Sequence, residues 1–171
     1  GEYYGEAYEL QFGNLPGRAL FFAEKGNVQV RGHVDSLFFS RASGTRGNDE
    51  WQSYQRFTKL LSEKRENAMF APEMREASEE EQIARRKVIM QEYEEELLCF
   101  QDKLAGDGNS LATLYSYWKR YLNMDADEIY SVLKKFDQQL AGNRYYLDMK
   151  NRAETLTRVA PGSMAPVFTA I

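Results

Sequence analysis

Ser78-Glu79-Glu80-Glu81 is the pattern of a capping box, in which a serine and a glutamate three positions on satisfy each other's free backbone amides. It opens the longest element of the chain, and Gly106 stops it. Ile83, Met90, Leu97 and Leu104 recur along this helix at seven-residue steps, with Tyr93 and Phe100 interleaved. Sustained heptads would specify a coiled-coil dimer. This run is short and Arg86 occupies its first interleaved position, so the expectation is a seam inside a helical bundle. The neighbours agree with a bundle. Asn48 reads as the N-cap of an earlier helix, with Asp49 and Glu50 at the positive end of its dipole and a helical stripe of Trp51, Tyr54, Thr58 and Leu61 with Phe57 beside it. That helix ends before Pro72. Downstream, Asn109-Ser110 caps a helix whose Leu111, Leu114, Trp118 and Tyr121 or Leu122 share a face. Asp125-Ala126-Asp127-Glu128 is a second capping box, followed by Ile129, Leu133, Phe136 and Leu140 and closed by Gly142. Tyr145, Tyr146, Met149, Ala153 and Leu156 define a last helix to about Thr157. Short loops between these last helices favour antiparallel neighbours.

The first 45 residues follow a different period. From Tyr4 to Phe12 the chain alternates, with Glu6, Tyr8, Leu10 and Phe12 on one face, as a half-buried strand requires. Residues 18–23 form a second strand, and Gly26-Asn27 suits a primed hairpin turn into Val28-Gln29-Val30-Arg31-Gly32. Leu37-Phe38-Phe39-Ser40 reads as a fourth strand. Short strands with short turns pair antiparallel, because parallel pairing needs long crossovers. The expected class is therefore α+β: an antiparallel β region over 1–46, about five helices over 47–158, and a linker at 159–171.

Chemistry is harder to find. A net charge of -4 argues against a nucleic-acid partner, which needs a basic footprint. No apolar run is long enough to span a membrane. Cys99 is the only cysteine, so no internal disulfide forms, and its setting in Leu97-Leu98-Cys99-Phe100 points to the core. His33 is the only histidine; it excludes a multi-histidine metal site and reads as a surface loop residue. Glu92 and Glu96 lie one turn apart, a spacing that acid-base or metal chemistry can use, but opposite the apolar seam they read as a solvated face. Eleven tyrosines and ten phenylalanines supply core and leave aromatic side chains for interfaces. No phosphate loop, nucleotide fingerprint or nucleophile elbow is present, and no cofactor is implied. These residues do not add up to an enzyme complete in itself.

The last twelve residues, from Ala160 to Ile171, set two prolines around Gly162 and then begin an apolar, β-prone run at Val167. Pro161-Gly162-Ser163-Met164-Ala165-Pro166-Val167-Phe168-Thr169 resembles the G-x-x-A-P-x-F segment that opens thioredoxin-like domains of the TlpA/ResA and peroxiredoxin type. Gly162, Ala165, Pro166 and Phe168 carry the match. Phe22 to Val30 is similar to the E-x-G-N/D-hydrophobic-x-hydrophobic stretch of the domain of unknown function DUF4369. Gly44 to Trp51 resembles the glycine-containing exit of that domain into its first helix. The Asn109-Ser110 helix start and the closing helices are similar to the spacer before a TlpA-like domain in Bacteroidetes envelope proteins. Two departures stand out: the first strands of the DUF4369 pattern are missing or shortened before Gly1, and Val167 replaces a common acidic residue.

The resemblance implies a non-catalytic accessory region of a periplasmic thiol-disulfide oxidoreductase that positions, dimerises or supplies substrate recognition to a thioredoxin-like domain in cis. The CxxC of that domain would lie beyond Ile171, where its low-pKa thiolate would meet a protein redox partner. A homodimer is among the partners implied, and the compartment is the periplasm or cell envelope, with a lipoprotein as one form. No catalytic, cofactor or metal role falls on any residue present. The competing expectation is a stand-alone envelope lipoprotein that binds a peptide or glycan.

Overall fold

The computed structural model describes residues 5–159 apart from 16, 107 and 137. The linker motif with Gly162, Ala165, Pro166 and Phe168 lies outside the described residues. Strands come first and helices follow, so the α+β class holds. The strands, however, make two small sheets instead of one. β1 (Glu6–Leu10) pairs antiparallel with β2 (Ala19–Ala23), Ala7 opposite Phe22 and Tyr8 opposite Phe21. β3 (Gln29–Arg31) pairs antiparallel with β4 (Arg41–Ser43). Gly26-Asn27 therefore joins two sheets and closes no hairpin. Its position is set from across the fold: a Cβ on Gly44, which has φ +93°, would lie 2.3 Å from the Asn27 carbonyl oxygen.

Two further strand expectations change. Leu37-Phe38-Phe39 lies in a 3-10 segment, Val34–Phe39, because His33 Nδ1 accepts the Asp35 amide at 3.3 Å and starts a turn that competes with a ladder. In β1 the expected half-buried face does not form: Glu6 and Ala7 are half-buried, and Tyr8, Glu9 and Leu10 are all exposed. Ala7 packs inward beside Phe22 and Leu20, whereas Tyr8, Leu10 and Phe12 are exposed.

Six α-helices follow among the described residues: α1 (Arg46–Met69), α2 (Pro72–Glu76), α3 (Glu79–Ala105), α4 (Leu111–Trp118), α5 (Ala126–Leu133) and α6 (Arg144–Arg158). Three of the expected caps are in place. Ser78 and Asp125 each form a complete capping box, and Ser110 Oγ accepts the Thr113 amide at 3.1 Å. Asn48 is not a cap: α1 starts two residues earlier, after Thr45, and Asn48 is buried inside its first turn. Phe136 and Leu140 lie beyond α5, which stops at Leu133 before a 3-10 turn at Gln138–Leu140.

α4 is the centre of the molecule. All seven residues from Leu111 to Tyr117 are buried, and only Trp118 at the end of the helix is partly exposed. Phe22, Trp51 and Tyr145 meet Tyr115 with ring centroids 5.1–5.5 Å apart, and Trp118 stacks on it at 5.6 Å. Edge-on and offset arrangements of this kind suit the ring quadrupoles. The polar side chains of α4 are paired within this core; Gln101 of α3, for example, donates to Ser116 Oγ at 2.8 Å.

α1 and α3 run antiparallel. Near α4 they belong to the body, through Trp51 on one and Leu97, Gln101 and Ala105 on the other. Further out they form an arm. The Phe57 and Phe100 rings stack at 4.0 Å, Arg65 lies over the Tyr93 ring at 4.8 Å, and Lys64 pairs with Glu96. Between Ser62 and Glu96, Met74 of α2 is the one buried residue.

Candidate functional site

The two stretches that carry the upstream resemblance meet in space. Asn48 Oδ1 accepts the Phe22 amide at 2.9 Å, and Asn48 Nδ2 donates to the Phe22 carbonyl at 2.8 Å. The side chain thus takes the place of a neighbouring strand on β2. Its Nδ2 also donates to Thr45 Oγ1 at 2.7 Å, which explains why Thr45 makes no side-chain cap of its own. Glu24 completes the join. Its carboxylate accepts the Gly47 amide at 2.9 Å, placing negative charge at the positive end of α1. A Cβ on Gly47 would lie 2.7 Å from that carboxylate, so only glycine lets it approach. Phe22 then meets Trp51 edge-on at 5.9 Å. β1 is fastened to α6 in a similar way: Tyr145 Oη accepts the Ala7 amide at 2.8 Å and Asn143 donates to the Gly5 carbonyl at 2.9 Å.

A concavity lies elsewhere, between α3, α4 and α5. It is a cleft of about 680 Å³ whose walls include Leu98, Tyr117, Arg120, Met124, Val132 and Lys135. Arg120 and Lys135 stand 5.9 and 5.7 Å from the Tyr117 ring centroid. Each cation is matched by a carboxylate, Arg120 by Glu94 at 3.5 Å and Lys135 by Asp102. Tyr117 donates to Asp102 at 3.1 Å, and burial together with that carboxylate holds the phenol well above its ordinary range. The phenol stays protonated and donates. It is a positioning group for Asp102 and no base.

The residues singled out for chemistry do not gather. Cys99 is exposed, which overturns its expected core place. α1 covers the Phe100 side of α3 and α4 covers the Leu97 side, and Cys99 falls on the part that neither reaches. His33 is exposed, as expected of a loop residue. Glu92 and Glu96 do not lie opposite the seam; they flank the narrow space between α1 and α3 beside Tyr93 and Arg65. Among the described residues no group of three or more metal-ligating side chains converges. No helix of the described residues is long and apolar enough to cross a membrane. No known family, curated protein or solved structure matches the chain.

Proposed function

We propose that this chain is the non-catalytic accessory region of a periplasmic thiol-disulfide oxidoreductase, with a thioredoxin-like domain beginning at Gly162 and its CxxC beyond Ile171. One observation supports this reading above the others. The two stretches that resemble DUF4369 are joined pairwise: Glu24 accepts the Gly47 amide, Asn48 pairs with the Phe22 backbone, and Gly44 lies close against the Asn27 carbonyl. A chance likeness of two short segments would not require them to touch. In this reading the shared residues are structural: they lock a β module onto the first helix of a spacer, and α6 leads from the spacer to the linker motif. The chain itself carries no exchange chemistry, which belongs to the downstream thiolate.

The reading frame past Ile171 tests it. A Cys-x-x-Cys within about one strand and one helix of Ile171 is expected; a stop codon there, or a domain without that pair, overturns the proposal. A second reading, a stand-alone envelope protein that binds a peptide or glycan, draws on the cleft beside Tyr117, Arg120 and Met124. Titration with peptides and oligosaccharides, followed by tryptophan fluorescence, tests it together with the reading frame: saturable binding by a chain with no Cys-x-x-Cys downstream is expected of it, and no saturable change overturns it.

A further inference from the structure

Ile83, Met90 and Leu97 lie on one line of α3, a heptad apart. Their exposure rises steadily outward: 6% at Leu97, 40% at Met90 and 62% at Ile83. The cause is plain. α4 covers this line at Leu97 and Gln101 and is only eight residues long, whereas α3 has 27. Beyond α4 the same apolar face continues without a cover. It also runs on to Leu98 and Met124 at the mouth of the cleft.

We propose that this face of α3 pairs with the same face of a second copy of the chain, antiparallel, about a two-fold axis at Met90. The charges beside the apolar line choose both the partner and the direction. Lys87 stands on one side of Met90 along the helix and Glu94 on the other, and both lie on the same flank of the line. Antiparallel pairing about Met90 sets Lys87 of each copy against Glu94 of the other. Arg86 then meets Tyr93 on the opposite flank, and Ile83 reaches the exposed Leu98 at the mouth of the partner's cleft, short of the part of the line that α4 covers. Parallel pairing would stack like charges along the whole seam. The Glu94 side chain is half exposed beside Arg120, so a second cation reaches it without displacing the first. From Ile83 to Leu98 the seam spans about 22 Å, at 1.5 Å per residue. That is small for an interface, and the dimer is of the weak, concentration-dependent kind. Every residue it uses lies on α3 or the cleft, so the pairing stands whether or not a thioredoxin-like domain lies beyond Ile171.

Sedimentation equilibrium of the full chain up to about 0.5 mM, a concentration that reveals affinities in the micromolar range, is the first measurement. A monomer–dimer equilibrium is expected, weakened at least about tenfold by Lys87→Glu or by Glu94→Lys and restored when the two are combined. On a Cys99→Ser background, Met90→Cys is expected to oxidise to a covalent dimer and Ile83→Cys is not, because only Met90 lies on the axis. Circular dichroism confirms that each variant keeps its helix content. A monomer at every concentration overturns the proposal, as does a double reversal that fails to restore pairing. Self-crosslinking of Ile83→Cys would mean a parallel pair. A monomer in which Met90→Cys resists a thiol reagent would mean that another segment covers the face; either result also overturns it.

Discussion

The body around α4 and the arm made by the outer halves of α1 and α3 share two helices and little else. In the body, Phe22, Leu114, Tyr117, Ile129 and Met149 have no exposed surface, and Asn48, Ser110 and Asn143 are buried with hydrogen-bond partners. In the arm, two helices meet along one line of contact and most apolar side chains remain half wet. The same helix is therefore rigidly embedded at one end and dependent on its own hydrogen bonds, its caps and one neighbour at the other. Continuity of backbone does not distribute stability evenly; the number of covering elements does. Local opening should start in the arm and stop where α4 begins to cover α3.

Removing a side chain from the body tests this most severely. Phe22→Ala empties a site packed by Trp51 and Tyr115 and is expected to cost about 3–5 kcal/mol in denaturant unfolding. Hydrogen exchange should then quicken throughout α4, not only in β2. A loss confined to the β sheets would break the comparison, since it would show that the body is two independent parts. Asn48→Ala is the next largest. It leaves the Phe22 amide and carbonyl without the side chain that pairs them, at about 1–3 kcal/mol for each group that water cannot reach. Asn48→Asp sets a buried carboxylate against the Phe22 carbonyl, so it should cost at least as much as alanine.

Residue by residue, the legible parts of the sequence are those whose partners lie within a turn. Ser78 with Glu81, Ser110 with Thr113 and Asp125 with Glu128 are local arrangements, and each forms as its spacing implies. Asn48 looks like one of them and is different, because its partner, Phe22, is 26 residues away and belongs to a strand. Nothing nearby marks it. Cys99 misleads for a related reason. An apolar run such as 97–100 announces a buried helix but not how many neighbours cover it, and with α1 and α4 on different sides of α3 one position is left outside. The pattern of α4 implies one apolar face, since Thr113 and Ser116 interrupt it. Their hydroxyls are accommodated by Ser110 and Gln101, so the polar positions are as buried as the rest. The residues with the strongest functional resemblance, Gly162 to Phe168, lie beyond the described part.

Alkali should divide the two regions next. Burial raises Tyr115 to about 12, and it also raises Tyr54, Tyr117 and Tyr145. All four serve or border the aromatic core. An unfolded chain releases these protons near pH 10, whereas the folded body retains them, so it is the unfolded state that gains as pH rises. Stability is fully present below about pH 10 and declines as pH climbs towards the folded value of about 12. Tyrosinate absorbance and near-ultraviolet dichroism should change together over that window. Ionisation of these tyrosines with the aromatic dichroism intact would mean that the body is looser than its packing implies.

The smallest effect sharpens the comparison from the other side. Lys64 pairs with Glu96 across the arm, and hydrogen bonding to that carboxylate raises the ammonium above its usual range. Both side chains are largely exposed, so solvent and salt screen the attraction and global unfolding should not register its loss. Lys64→Ala is therefore expected to leave the denaturation midpoint where it was. If the arm opens on its own, however, the pair acts on that opening alone, and amides of the outer halves of α1 and α3 should exchange faster while α4 is unchanged. The difference should fade as salt is added. Equal acceleration in arm and body would mean that the two open as one cooperative unit, and the distinction drawn from their packing would then have no counterpart in their dynamics.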